Sequence, residues 1–546
     1  MSIARLQIGR RRRILLVPRA ILAVGVVVST AGAAQKNPAP ADPPPASSPP
    51  SVPQPPSAPA PTTTPGPSGP VPPPFGAAQR PPSAPESPGG APSTVAPQEG
   101  TALPTAPPVA PPPATKASPF VFALHGFVSG GIYLQDAVFA SGQGGAAIYG
   151  PNKLDTDRWF LGGDVRQTQL KFTVTGPAVL GGATPMGVVE LDLLGGNQVT
   201  TVPGPTAVVR DPMGIPIGTV GNTVTSSATG DESVLPRLRL AYAELNWGEG
   251  TDMLRVGQQH NLLIYIIPAS ASHIGVPLGY GAGQLGWRTP AITYLHRFAL
   301  PNDMRVDVHL QANRNSWIDN YPVCAAGQAP PAAGANCLPA GISLGEASTL
   351  PQFEARVVFA SGKTPSPWPY YPASDVLVYA VGHWDQKDIS GVGATASGRD
   401  TLTTLIGDLG FKVAVGPVVV AGNAWYGKNS GGVYGNMLQM QAPNGPDVTG
   451  FGAWGQAGVS ITKELSIWAF TGIDKPNEDQ AIAAGFTRLQ NIQSAAQIAY
   501  KDGPYAVGLE FLHIWTKSYT PGTAMTVPST TTLEGNQPMA TVDYFF

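Results

Sequence analysis

Charge is scarce in this 546-residue chain: Lys, Arg, Asp and Glu together make up 12% of it, about half of what soluble domains carry. Long apolar runs are missing as well. Mean hydropathy is +0.01, and beyond the N-terminal segment no stretch of about 18 apolar residues occurs, so no membrane-crossing helix is predicted. Cysteine is nearly absent, with Cys324 and Cys337 alone, enclosing an Ala-, Gly- and Pro-rich segment. In an exported chain that spacing predicts a loop-stapling disulfide, and no His stands near either thiol to suggest a metal site or a thiol base. The seven His residues are scattered, and no Gly-x-Ser-x-Gly elbow, zinc-spaced His pair or phosphate-binding glycine loop is present. No cofactor, metal site or catalytic set is therefore expected, and the chain reads as a non-enzyme. From Lys116 onward acidic residues outnumber basic ones, so no nucleic-acid partner is implied.

The N-terminus carries Arg10 to Arg13, an apolar stretch from Ile14 to Val28 and an Ala31-x-Ala33 site, the three parts of a signal peptide over residues 1–33. A low-complexity linker, 34–117, follows. Its stretch from Pro38 to Thr115 has 30 prolines in 78 residues and no periodic apolar pattern, a composition that stays extended because it cannot bury enough surface to fold. It reads as a periplasmic spacer, with contact to peptidoglycan as the functional alternative.

From residue 118 to 546 the composition changes to alternating segments. In Arg305 to Asn313, Val306, Val308, Leu310 and Ala312 point one way, and Arg305, Asp307, His309, Gln311 and Asn313 the other; Val189, Leu191 and Leu193 oppose Glu190 and Asp192 in the same manner. Sixteen such segments, from 121–134 to 537–546, are joined by connections that alternate between long Gly-, Pro- and Thr-rich stretches and short turns such as Pro301-Asn302 and Asp502-Gly503-Pro504. That asymmetry, with few charges and an export signal, predicts an all-β fold: a 16-stranded antiparallel transmembrane β-barrel, with 18 strands as the alternative. The chain ends NQPMATVDYFF, with Val542, Tyr544 and Phe546 on one face and Thr541, Asp543 and Phe545 on the other. A strand at the very end is left without an exposed edge if the barrel closes on it. Trp247, Trp287, Tyr294, Trp425, Tyr426, Trp468, Trp515 and Tyr544 are candidates for interfacial girdles. Arg166, which shares the parity of Leu170 and Phe172, is expected at the membrane rim, beside lipid or lipopolysaccharide.

Several motifs, in order and spacing, resemble the DcaP-like trimeric porins of Gram-negative outer membranes. They are Gly163 to Phe172 (GDVRQTQLKF), Val188 to Gly196 (VVELDLLGG), Arg237 to Leu245 (RLRLAYAEL), Arg255 to Gln258 (RVGQ) and Trp287 to Ile292 (WRTPAI). The resemblance spans about Val121 to Arg314. It implies a homotrimer in the outer membrane, in contact with lipid and lipopolysaccharide, that passes small anionic solutes such as dicarboxylates.

In porins generally the third long loop folds into the lumen. Here that loop, Asn261 to Leu285, carries an apolar hexapeptide whose Leu262, Ile264, Tyr265 and Ile266 need somewhere to bury, and they are the expected constriction residues; packing on a neighbouring subunit or over the rim is the alternative. The water-facing positions Arg237, Arg239, Arg255, Arg305 and Arg356, with Glu190, Asp192, Asp307, His309 and Glu354, are the expected pore lining. Guanidinium groups would favour anions, whereas complete pairing with the carboxylates would leave a wall with little selectivity. The leading expectation is a porin for passive diffusion of small hydrophilic solutes. A structural barrel tethered to the cell wall by the Pro-rich segment is the alternative, and an outer-membrane hydrolase the remotest.

Overall fold

The computed structural model describes residues 120–139, 144–150, 158–195, 234–315, 348–363, 371–388, 401–440, 445–522 and 526–546, together with the backbone of 199–210 and 216–227. The expected signal peptide, linker and Cys324–Cys337 pair lie outside these residues.

Alternation of apolar and polar residues fixes strands, and the strands form one closed sheet. β1 (Val121–Gln135) is followed by β2, in two pieces (Phe160–Asp164 and Gln169–Thr175), then β3 (Thr184–Asp192), β4 (Arg237–Trp247), β5 (Asp252–His260), β6 (Arg288–Leu300), β7 (Met304–Asn313) and β8 (Gln352–Ser361). The second half adds β9 (Val376–Asp388), β10 (Thr401–Val415), β11 (Val418–Lys428), β12 (Thr449–Ser460), β13 (Leu465–Pro476), β14 (Arg488–Asp502), β15 (Tyr505–Thr520) and β16 (Ser529–Phe545). Each pairs antiparallel with the next, and β16 returns to β1 with Phe127 opposite Phe545 and Tyr133 opposite Met539. The two pieces of β2 both lie on β1, Asp164 opposite Gly131 and Gln169 opposite Phe127, so they are one wall strand with an interruption and the barrel has sixteen. The terminal strand closes the sheet, as its edge required.

The faces settle which kind of β protein this is. On β10, Leu405, Leu409 and Phe411 are 56%, 64% and 42% exposed, while Thr404, Asp408 and Lys412 between them are buried. β16 repeats the pattern, with Val542 and Tyr544 outside and Thr541 and Asp543 inside. A soluble sandwich would bury its apolar face and wet its polar one. This barrel does the reverse, which is stable only where hydrocarbon surrounds it. Shallow hollows on the outer surface, such as that lined by Phe122, Leu124, Phe172, Val189 and Val256, belong to this lipid-facing belt.

Turn chemistry closes the short end. Asn302 and Asp303 between β6 and β7 have φ of 61° and 57°, the two left-handed positions that match the twist of paired strands. The long connections hold more structure than expected. Between β3 and β4 stands a separate hairpin, Val199–Arg210 with Pro216–Ser227, paired only with itself among the described residues. Before β14 lies a short helix, α1 (Glu478–Ala483), whose N-cap Asn477 accepts a hydrogen bond from the Gln480 amide at 3.1 Å.

Two expectations are corrected here. Arg166 is not at a lipid-facing rim: it is buried beside Asp164, Nε to Oδ1 3.0 Å. Residues 165–168 leave the strand, so the parity counted back from Phe172 fails at that break. Trp287, Trp425 and Trp468 are not girdle residues either, because all three are buried inside the barrel, while Tyr294, Tyr426 and Tyr544 remain exposed on the outside.

If hydrocarbon covers the outer belt, L409R in the middle of β10 should destabilise the barrel by about 2–4 kcal/mol. Equilibrium urea unfolding of protein folded into phosphatidylcholine vesicles checks this; an unchanged midpoint would place Leu409 in water.

Candidate pore and its internal loop

The loop 261–287 leaves β5, crosses the interior and returns to β6, and nearly all of it is dry: Leu262, Leu263, Ile266, Ala269, Ala271, Ile274, Leu278, Ala282 and Leu285 are buried. Buried backbone needs partners, and the wall supplies them as uncharged amides. Gln456 of β12 takes the Ala269 N–H at 2.7 Å and donates to its carbonyl at 2.7 Å. Gln497 of β14 accepts from Ala271 N and donates to Ala269 O. Gln493 accepts from Gly279 N and donates to Tyr280 O, Asn491 donates to Gly281 O, and Gln167, in the interruption of β2, accepts from Gly275 N. Small wall residues let the loop come close. A methyl group on Gly508 would overlap Cβ of Ala271, and one on Gly472 would overlap the Ala282 carbonyl.

Charged side chains bond the loop at three points, the first midway along it, where Arg239 Nη1 donates to Gly275 O at 3.2 Å. At the root of the loop, Glu354 accepts from Leu262 N, while Arg356 donates to Leu262 O at 2.9 Å and covers the Tyr265 ring at 4.1 Å. At the tip, Glu510 of β15 accepts from Ser270 Oγ and pairs with His273 Nδ1, each at 2.5 Å. His273 is the loop's single Asp, Glu, Lys, Arg or His residue. Tyr280 adds a phenol that burial pushes up to about 12.

The loop divides the lumen unevenly. Over β9–β15 its apolar side chains merge with Leu377, Val381, Ile406, Val419, Trp454 and Phe470 into one core. Tyr371 plugs the same side from the short-turn end and donates to Gln456 at 2.6 Å. The wall of β2–β7 instead keeps partly wet ionic side chains: Arg297, Arg255, Arg237 and Arg305 are 39%, 29%, 28% and 25% exposed.

The expected lining residues all fall inside the barrel, mostly in ion pairs. Arg237 and Arg239 share Asp192, at 2.6 and 3.0 Å, and Arg239 also binds Glu190 at 2.8 Å. Arg305 meets Asp307 at 3.3 Å, and His309 Nδ1 faces Arg356 Nη2 at 3.2 Å. Glu354 belongs to a buried chain with His383, Asp385 and Lys387. Sequence reasoning missed Glu244, which pairs with Arg255 at 2.5 Å, and Arg297, which holds Asp307 at 2.7 Å; strand parity would have found Arg297 beside its neighbour Asp307 across the β6–β7 pair. It also missed the glutamine clamp, for which one sequence offers no signal.

No family model and no curated protein matches this chain. Solved structures do. The outer membrane channel DcaP of Acinetobacter baumannii aligns with 79% of this chain and 99% of its own at 13% identity and a TM-score of 0.50. The fold is that of an outer-membrane porin. The anion-selective porin of Comamonas acidovorans is also matched, over 78% of this chain and 100% of its own, at 13% identity and a TM-score of 0.43. At these identities the likeness to porins is one of fold.

Substituting Gly508 by Val should push the loop tip off β15 while leaving the barrel closed, because the severe overlap is with Ala271 and the Thr541 hydroxyl, 3.3 Å from the added Cβ, can rotate away. Overpacking of this kind costs about 1–3 kcal/mol. Single-channel recording should then show larger or noisier steps than the parent, and identical traces would mean that the loop is not held there.

Proposed function

We propose that the protein is a porin of the Gram-negative outer membrane that lets small hydrophilic solutes diffuse passively and favours anions. The observation that carries the reading is the uneven lumen: one sector packed shut, the other partly wet and basic. On β2–β8, with the interruption of β2, the side chains of Arg166, Lys171, Arg237, Arg239, Arg255, Arg288, Arg297, Arg305 and Arg356 stand against Asp164, Glu190, Asp192, Glu244, Asp307 and Glu354, an excess of positive charge. The loop 261–287 contains no Asp or Glu to oppose it. Solutes would pass between this loop and the β2–β7 wall; of the expected constriction residues, the half-buried Ile264 and Tyr265 would narrow it, whereas Leu262 and Ile266 are buried in the core on the filled side. There the guanidinium groups would lower the energy of an anion and raise that of a cation, without any covalent step.

A homotrimer fits the uneven wall. β3 and β5 have nine residues each, against 16 and 17 in β15 and β16, and nine is the lower limit for crossing hydrocarbon, so the low side suits protein neighbours. Small carboxylates are the expected solutes, and the Pro-rich segment is read as a periplasmic spacer.

One observation favours a second reading. The filled sector over β9–β15 would suit a largely closed barrel with a structural role, held to the cell wall by residues 34–117. The hydrolase reading gains nothing from the Ser270, His273 and Glu510 group, because the Ser270 hydroxyl donates to the carboxylate and not to the imidazole.

Planar-bilayer recording of the purified protein under a KCl gradient tests the main reading. The reversal potential should report chloride over potassium, and R255Q/R305Q should move it toward the potassium side. Absence of conductance from a heat-modifiable, folded barrel would favour the structural reading.

A further inference from the structure

The connection from β11 to β12 does not stay outside the barrel. Its stretch from Ser430 to Met440 crosses the long-loop mouth and comes down on the return of the internal loop. Tyr434 stacks on Trp287, with ring centroids 4.4 Å apart and 14° between planes, and Tyr280 packs against both rings. Gly286 N donates to Val433 O at 2.8 Å. Tyr434 and Leu438 share one apolar cluster with Ile264, a residue that narrows the passage. Arg237, 5.7 Å from the Trp287 ring and 28% exposed on its side chain, marks the edge of the wet sector beside this contact. The connection between β1 and β2 reaches the same place: Arg488 Nη2 donates to Met437 O at 3.1 Å, and the same guanidinium lies 4.2 Å over the Tyr149 ring.

This strap is held down against strain. Asn436, Met437 and Leu438 have φ of 51°, 54° and 60° in succession, and Tyr434 just before them has 72°. L-residues adopt left-handed backbone singly and not in runs, because each Cβ is pressed toward the following carbonyl oxygen. Burial adds to the cost. The Asn436 side chain is fully buried with neither its oxygen nor its nitrogen hydrogen-bonded, and the buried Ser430 hydroxyl has no partner either. In water the turn would relax and both side chains would be hydrated. Against this stand one ring stack and a few hydrogen bonds, among them Met437 N to Asp474 Oδ2 at 3.0 Å. A buried segment with strained backbone and orphaned polar groups belongs to the part of a fold that opens locally.

We propose that Ser430–Met440 is a gate on the long-loop mouth. It lifts as a unit about the paired glycines Gly431 and Gly432, parting Tyr434 from Trp287 and Val433 from Gly286, and uncovers Ile264 and the entrance to the wet sector. The ring stack holds it down, and the left-handed turn favours its release. This inference rests on the porin reading and adds a moving part to it.

Single-channel recording in KCl tests the gate. The parent should switch between a lower and a higher current level. Y434A, which removes the stack, should cut the ratio of time spent low to time spent high about fivefold, the contribution of a stacked aromatic pair to an equilibrium, whereas Y434F keeps the ring and should leave the ratio as it is. Met437 is 0% exposed with the strap down. In M437C, made in a chain that also carries C324A and C337A, a membrane-impermeant methanethiosulfonate added on the long-loop side should react only while the strap is up, and then hold the channel at its higher level. Identical traces from the parent and Y434A, with M437C unreactive in a folded barrel, would overturn the gate and leave the porin reading standing. A shift in Y434F as large as that in Y434A would also overturn it, because the stack would not be what holds the strap. No current from the folded parent or from folded Y434A would overturn both.

Discussion

A loop that enters a dry interior has to carry its backbone hydrogen bonds with it, and everything inside this barrel follows from how that is done. The wall answers with glutamine and asparagine side chains, whose amides copy the donor and acceptor of a peptide group. Each missing partner would leave a buried polar group at about 1–3 kcal/mol. A residue run such as 261–287 could not stay inside without them. Gly472 and Gly508 remove the side chains that would hold it off.

Because the amides hold the loop, charge is free for another use. Partly wet ionic groups are concentrated on β2–β7, where arginines outnumber their acids, and the opposite sector is filled, with ionic groups such as Asp385, Lys387 and Glu510 buried in it. Buried ion pairs contribute little net stability once desolvation is counted. Their value here is positional: each carboxylate fixes a guanidinium against the wall, and side chains that would otherwise sweep the lumen are set in place.

Much of this was legible in the sequence. Every one of the sixteen wall strands could be placed from period-two alternation, because a barrel between lipid and lumen contrasts its two faces along the whole strand, and β16 announced its own closure. Parity counting failed where its assumption failed. At Arg166 the strand breaks, and the side chain turns inward to Asp164. At Trp425 and Trp468 the rings lie inside, because the wall there faces a solid core and not water, so aromatic residues are as welcome within as at the membrane surface. The hairpin 199–227 lay hidden in a stretch rich in Gly, Pro and Thr, and the clamp residues Gln456, Gln493 and Gln497 look like any polar lumen positions until the loop they hold is seen.

The neutrality of that clamp has a consequence for the conditions the molecule can meet. Ionic attractions between exposed groups fade as salt rises, with a screening length of about 10 Å at 0.1 M and about 3 Å at 1 M, whereas amide-to-peptide bonds carry no net charge to screen. The position of the loop is thus set mainly by contacts without net charge, its charged anchors Glu354, Arg356 and Glu510 being buried where salt screens them least, while the partly wet arginines of the wall beside it feel every change. Shape and field answer to different variables: a move from dilute water to brine would leave the loop where it is and weaken only the field of the arginine wall.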